Sequence, residues 1–183
     1  MITAKEGDVM LIKMIKCKVN HDMQSLFLNA QSKWTELTSV PGFVVQFGGW
    51  NQANPEEAYI FGVWNSLDSY TFFMNAAHDR ILNRINQKGS YESIEVSLWN
   101  PSEKISSKDL DEIEYIELLH TNVNNNIKCK DFLLTSLKDN EEKWMKLRNQ
   151  VITISNNRTA SHIKLVKDWT VIGSFWGSVQ GDT

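Results

Sequence analysis

The sequence predicts an α+β protein built from two ferredoxin-like units in tandem, a complete βαββαβ unit followed by a partial βαββ unit. Three observations carry this reading. Over residues 9–100, stretches of period-two and helical hydrophobicity follow in the order strand, helix, strand, strand, helix, strand. Short segments of the first half recur about 110 residues later. The chain also carries 7 Trp and 8 Phe. Each can bury roughly 150–250 Å², so these rings should dominate the cores and line any cavity.

The elements follow in order. Val9 to Val19 reads as a strand. Leu11, Ile15, Cys17 and Val19 share one face, while Met10, Ile12 and Met14 give way to Lys16 and Lys18 on the other. Asn20-His21-Asp22 offers caps for a helix with apolar positions Leu26, Phe27, Ala30, Trp34 and Leu37. Val40-Pro41-Gly42 stops it. Phe43 to Trp50 is a strand whose Gly48-Gly49 suggests a bulge or a close backbone approach. Ala58 to Trp64 is the third strand. Asn65-Ser66 caps a helix whose stripe is Tyr70, Phe73, Met74, Ala77 and Ile81. Tyr91 to Trp99 is the fourth strand, closed by Pro101.

Residues 101–111 are polar and read as a linker between a unit at 9–100 and one at 112–183. In the second unit Glu114 to Val123 reads as a strand. Asp131 to Leu147 reads as a helix bearing Phe132, Leu133, Leu137, Trp144 and Leu147. Val151 to Ser155 and Trp169 to Trp176 are strand-like, and the chain then stops where a second helix and a fourth strand are due. The repeat rests on Lys33-Trp34-Thr35-Glu36-Leu37 against Lys143-Trp144-Met145-Lys146-Leu147, offset 110. It also rests on Val63-Trp64-Asn65-Ser66 against Phe175-Trp176-Gly177-Ser178, offset 112. Ile15-Lys16-Cys17-Lys18 against Ile127-Lys128-Cys129-Lys130 shares the offset 112, but competes with the better strand pattern of Glu114 to Val123.

A net charge of −3 with scattered Lys and Arg gives no footprint for nucleic acid. No apolar run approaches the roughly 20 residues that span a bilayer, and the acidic, polar start does not resemble a signal peptide. Cys17 and Cys129 are too few for a disulfide framework and fit reduced thiols in a cytoplasmic protein.

The first unit resembles the dimeric α+β barrel domain of the antibiotic-biosynthesis monooxygenase superfamily, closest to small uncharacterised bacterial members. Trp34, Pro41-Gly42-Phe43 entering a strand, Trp64-Asn65-Ser66 ending one, and the helix with Tyr70, Phe73, Met74 and His78 carry the likeness. The resemblance implies a barrel made by pairing the sheets of two units, here within one chain. Its members include cofactor-independent quinol or polyketide monooxygenases, haem-degrading proteins and chlorite dismutase-like enzymes. The haem-degrading members use an Asn on the first strand and a Trp and a His on the second helix. Here only His78 matches, so no haem or other cofactor is expected.

His78 is the candidate catalytic residue, either a proton-transfer group facing a helix–sheet cavity or a helical His hydrogen-bonded to a neighbour. Phe47, Trp50, Tyr59 and Trp64 form a candidate wall for a small aromatic ligand, or serve as sheet-core aromatics. Gln46 is a polar residue in an apolar strand, a candidate hydrogen-bonding group for that ligand. The four histidines lack metal-ligand spacing, and no metal site is expected. The expected function is a cofactor-independent monooxygenase acting on a small aromatic or polyketide-like molecule; the alternative is a non-catalytic, small-molecule-binding or stress-related barrel. The incomplete second unit should leave Trp169, Val171, Phe175 and Trp176 uncovered. A homodimer, in addition to intrachain pairing of the units, would cover them.

Overall fold

The computed structural model describes residues 9–120, 130–150 and 160–174. The first unit contains β1 (Leu11–Lys18), α1 (Gln24–Gln31), β2 (Phe43–Asn51), β3 (Glu57–Trp64), α2 (Leu67–Phe73), α3 (Asp79–Ile85) and β4 (Ser93–Pro101). A single π-helical turn, Met74–His78, joins α2 to α3. Ser66 accepts a hydrogen bond from the Ser69 backbone N–H and so fixes the start of α2. The first helical region is broken, with 3-10 turns at His21–Met23 and Trp34–Ser39 flanking α1. Asn20 makes no side-chain cap there. Phe27, Ala30, Trp34 and Leu37 are buried as their spacing predicts, but Leu26 is exposed. Gly42 takes a φ of +78° at the turn into β2, a conformation open to glycine.

The second unit contains β5 (Tyr115–Leu119), β6 (Lys130–Ser136), β7 (Glu142–Arg148) and β8 (Ser161–Leu165), then a 3-10 turn at Lys167–Trp169 and the two-residue β9 (Val171–Ile172). Two expectations need correction. The helix expected over Asp131–Leu147 is the β6–β7 hairpin, in which Phe132 opposes Met145 and Leu133 opposes Trp144. The fourth strand expected to be missing is present as β8. Among the described residues this unit has no α-helix. Trp34 lies in a 3-10 turn and Trp144 on a strand, so the offset of 110 does not superimpose like elements. Val151–Ser155, Ile127–Cys129 and Phe175–Ser178 lie outside the described residues.

Both sheets share one strand order. In the first, β1 lies between β4 and β3, with β2 beyond β3. In the second, β5 lies between β8 and β7, with β6 beyond β7. The edges then meet, β4 against β6 and β2 against β8, all antiparallel, closing an eight-stranded barrel. Closure removes the free edges that open sheets expose. At the β2–β8 seam a side chain on Gly49 would collide with the Lys164 carbonyl, which explains the close backbone approach expected there.

Inside the barrel Ile12, Phe47, Phe61, Phe132, Met145, Leu147 and Ile163 pack as one fully buried core. Ile105, from the connecting segment, is buried in it too. Outside, α1, α2 and α3 cover the first sheet through Leu11, Trp34, Phe43, Trp64, Phe73 and Ile81. The chain after β8 returns over this unit. Trp169 packs against Phe27 and Trp50, Val171 joins the helix–sheet core, and β9 pairs with β2. The apolar face expected to be bare at Trp169 and Val171 is thus covered within the chain, so these two residues give no reason for a second copy. Phe175, Trp176 and Cys129 lie outside the described residues.

Candidate functional site

Alternation along each strand sends consecutive side chains to opposite faces of the sheet. On β3, Tyr59, Phe61 and Val63 point into the barrel, while Ile60, Gly62 and Trp64 face the helices. Between that outer face and the helices lies a cavity of about 270 Å³. Trp34, Phe43, Trp64, Tyr70 and Phe73 wall it. Trp64 anchors the wall, stacked on Phe73 at 4.8 Å and edge-on to Phe43 at 5.2 Å and Tyr70 at 5.8 Å.

The helical wall has a sequence logic. Tyr70, Met74, His78 and Leu82 all line the cavity and are spaced by four. In a regular α-helix that spacing drifts by roughly 40° per step. The wider turn at Met74–His78 reduces the drift and keeps the row facing the sheet. His78 therefore faces the cavity, as one of its two sequence readings requires. It also satisfies the other, since its Nδ1 lies 2.9 Å from the Asp79 carboxylate. Its ring sits 6.0 Å from Trp34 and 5.7 Å from Phe73. Burial lowers its pKa from the ordinary value, against the opposing pull of Asp79 and with help from nearby Lys13. A neutral imidazole at neutral pH can accept a proton.

Of the five proposed ligand-binding residues, the cavity gathers two. Gln46 and Trp64 line it. Phe47 and Tyr59 lie on the opposite face, stacked on Phe61 at 5.2 and 6.5 Å inside the barrel. Trp50 is on the helix side but lies beyond the cavity, packed against Phe27 and Trp169. The single aromatic wall expected from Phe47, Trp50, Tyr59 and Trp64 is therefore divided by the pleat.

Lys13 was missed by the sequence reading. It lines the cavity, with its Nζ 4.0 Å from Met74 Sδ and 5.5 Å from the centre of the Tyr70 ring. Burial pulls its pKa down to about 8, partly offset by Cys17. Cys17, in the same cavity, is pushed up to about 12 by burial, so its thiol stays protonated and unreactive. The signal for Lys13 was present: it interrupts the apolar face made by Leu11, Ile15 and Cys17.

At one end of the cavity Trp34 donates to Gln87 Oε1 at 2.8 Å, and Gln87 Nε2 donates to Gln31 Oε1 at 2.9 Å. The Nε2 groups of Gln31 and Gln46 are buried without a hydrogen-bond partner among the described residues. A second, more polar cavity of about 670 Å³ opens at one mouth of the barrel, beside Met14, Tyr59, Trp99 and Ser161. Among the described residues no three of His, Cys, Asp and Glu cluster closely enough to hold a metal ion. None of the described helices is long and apolar enough to cross a membrane.

Barrel closure and the helix–sheet cavity define the class: an α+β barrel with both ferredoxin-like sheets in one chain. Solved structures share this fold. An anthrone oxidase-like protein matches at a TM-score of 0.62 and 8% identity, covering 96% of this chain and 97% of its own. A candidate monooxygenase from Lactobacillus acidophilus matches at 0.59 and 10% identity, covering 90% of this chain and 96% of its own. A chlorite dismutase variant from Candidatus Nitrospira defluvii matches at 0.54 and 7% identity, covering 90% and 93%.

Sequence narrows the class further. Residues 11–99 match the domain of unknown function DUF4937. The uncharacterised protein YdbC of Bacillus subtilis is 38% identical over 92 residues, which are 49% of this chain and 77% of that protein. The chain belongs to this family, and the likeness is of a length with the first unit.

Proposed function

We propose that the first unit binds a small planar aromatic or polyketide-like molecule between its helices and sheet, and oxidises it with dioxygen without a cofactor. The observation that carries the reading is the cavity itself. It is walled by stacked aromatics, and it meets a neutral imidazole, His78, on one side. Cavities of this kind, mostly apolar with a few polar groups, are the usual form of small-molecule sites. Support also comes from the fold, which this chain shares with structures described as anthrone oxidase-like and as a candidate monooxygenase.

The chemistry balances with dioxygen as the only oxidant. An acidic ring methylene gives up a proton to His78, and its carbanion adds to dioxygen. Loss of water from the resulting peroxide leaves a carbonyl, so that CH2 and O2 become C=O and H2O. His78 takes the first proton and returns it to the peroxide anion; it then takes the second C–H proton as the O–O bond breaks and passes it to the departing hydroxide to make water. Anthrone tests this. Oxygen uptake above the uncatalysed rate, one O2 per anthrone, is expected, with at least a tenfold loss in His78→Ala. Saturable binding of anthrone without uptake would leave the non-catalytic binding barrel, the second reading, in its place. Absence of binding would remove both.

A further inference from the structure

Three strands bring one transverse row to the floor of the cavity. Lys13 on β1 pairs with Gly62 on β3, and Gly62 pairs with Gln46 on β2. All three residues line the cavity. The Cα atoms of Lys13 and Gln46 are thus two strand spacings apart, roughly 10 Å, with a glycine between. Gly62 is not required by its backbone: a Cβ there would meet only Trp64 Nε1, at 3.4 Å. Its consequence is space. It leaves an open floor flanked by an ammonium and an amide.

The polar atoms left unpartnered at this floor are donors. Gln46 is 7% exposed and its Nε2 has no partner among the described residues, and the same holds for Gln31 Nε2. Among the described residues Lys13 has no carboxylate in ion-pair contact, and no Asp or Glu lines the cavity. A buried donor without an acceptor costs free energy, and an unpaired cation costs more. A ligand oxygen bearing negative charge would satisfy the cation and an amide together.

We propose that the Lys13–Gly62–Gln46 row is an oxyanion cradle, through which the cavity selects planar ligands carrying an ionised oxygen (a carboxylate, phenolate or enolate) over neutral ones of the same shape. This rests on the reading that the cavity takes a planar aromatic, and it adds the ligand's charge and the residues that recognise it. Lys13 pairs with the charge, Gln46 Nε2 donates to the same or a neighbouring oxygen, and Gly62 admits the ring edge. The low-dielectric walls of Trp64, Tyr70 and Phe73 strengthen that pairing. The depressed lysine pKa has the same origin, an ammonium set in an apolar chamber without a counter-charge.

The test compares 2-naphthoate with its neutral isostere 2-naphthamide by isothermal calorimetry at pH 7, on the full chain. Wild type is expected to bind naphthoate at least tenfold more tightly. Lys13→Met should abolish the preference by weakening naphthoate and leaving naphthamide nearly unchanged, while Lys13→Arg should retain it. Gln46→Leu should weaken naphthoate more than naphthamide. Equal affinity of wild type for the two probes, or a preference that survives Lys13→Met, would overturn the cradle and leave the aromatic cavity standing. Failure of both probes to bind would overturn the cradle and the cavity reading together.

Discussion

The outer faces of the two sheets solve the same packing problem in opposite ways. Both sheets have one strand order, and both present alternate residues away from the barrel core. On the first, the outward residues are mainly apolar and three helical segments enclose a chamber over them. On the second, the outward residues of β5 to β8 include Glu117, Asp131, Lys146, Arg148 and His162, and several are buried. Arg148 Nε lies 3.1 Å from Glu117 and its Nη1 3.0 Å from Asp131; Lys146 lies 3.3 Å from Asp131, and His162 3.5 Å from Glu117. The contrast is in what remains unmet. Charges on the second face find one another, whereas among the described residues the first face keeps two amide donors without acceptors and a lysine without a carboxylate. The proposed function assigns ligand binding to the face whose polar groups are left open.

The largest expected effect is on the second face. Arg148 and Glu117 have side chains only 2% and 7% exposed. Arg148→Met would leave Glu117 buried without its closest cation and should cost about 3–5 kcal/mol in urea unfolding. Replacing both residues together, Glu117→Leu with Arg148→Met, should cost less than the single change. A single-variant loss below about 1 kcal/mol would mean that solvent already screens the network, and the contrast would weaken.

Trp34 and Trp144 sharpen the comparison next. Trp34 is 8% exposed at the end of the first unit's chamber and donates to Gln87. Its truncation to Ala should cost about 3–5 kcal/mol. Trp144 is half-buried on β7 and should cost under about 2 kcal/mol. Equal losses in the same unfolding assay would contradict the structural difference between the two segments.

A smaller effect with the opposite sign is expected at Lys13. Removing an ammonium that the fold desolvates should stabilise Lys13→Met by on the order of 2 kcal/mol at pH 7. The folded chain releases this proton near pH 8, the unfolded chain only near 10.5. Between those values the unfolded state holds more protons, so the penalty fades as pH rises and the gap between variant and wild type should close by about pH 10. Cys17 acts in reverse, because burial keeps its thiol protonated in the fold while the unfolded thiol ionises near 9. His78, Tyr70 and Tyr91 also face the chamber. Comparing wild type with Lys13→Met at each pH largely cancels these shared terms. A gap that does not change from pH 7 to 10 would place the amine in water. The smallest effect is at Gly62, where Ala should change stability by less than about 1 kcal/mol while weakening naphthoate.

The first unit was legible because its elements are long and strongly periodic. The stripe Tyr70, Phe73, Met74, Ala77 and Ile81, the Ser66 cap and the turn at Gly42 all describe what forms. The second unit was misread at Asp131–Leu147, where Phe132, Leu133, Leu137, Trp144 and Leu147 happen to fall at helical spacing. The competing period-two signal was in the same residues: Phe132 and Leu134 turn inward, as do Met145 and Leu147. Asp139-Asn140 supplied the hairpin turn, with Asn140 in the left-handed region at φ 57°. The candidate site was half legible. His78, Gln46 and Trp64 stood out by residue type, but which aromatic shares their face depends on strand register. Lys13 was hidden inside a stripe read only for its apolar members.

Methionine-methyl NMR with 2-naphthoate tests the central claim most directly, because two cavities carry different methionines. Met74 lines the helix–sheet chamber, Met14 lines the mouth of the barrel, and Met145 is buried in the barrel core. Saturable movement of the Met74 methyl resonance, with Met14 and Met145 unmoved, is the predicted result. Movement of Met14 with Met74 unmoved would put the ligand in the barrel mouth and contradict the assignment of the first unit's outer face as the binding site.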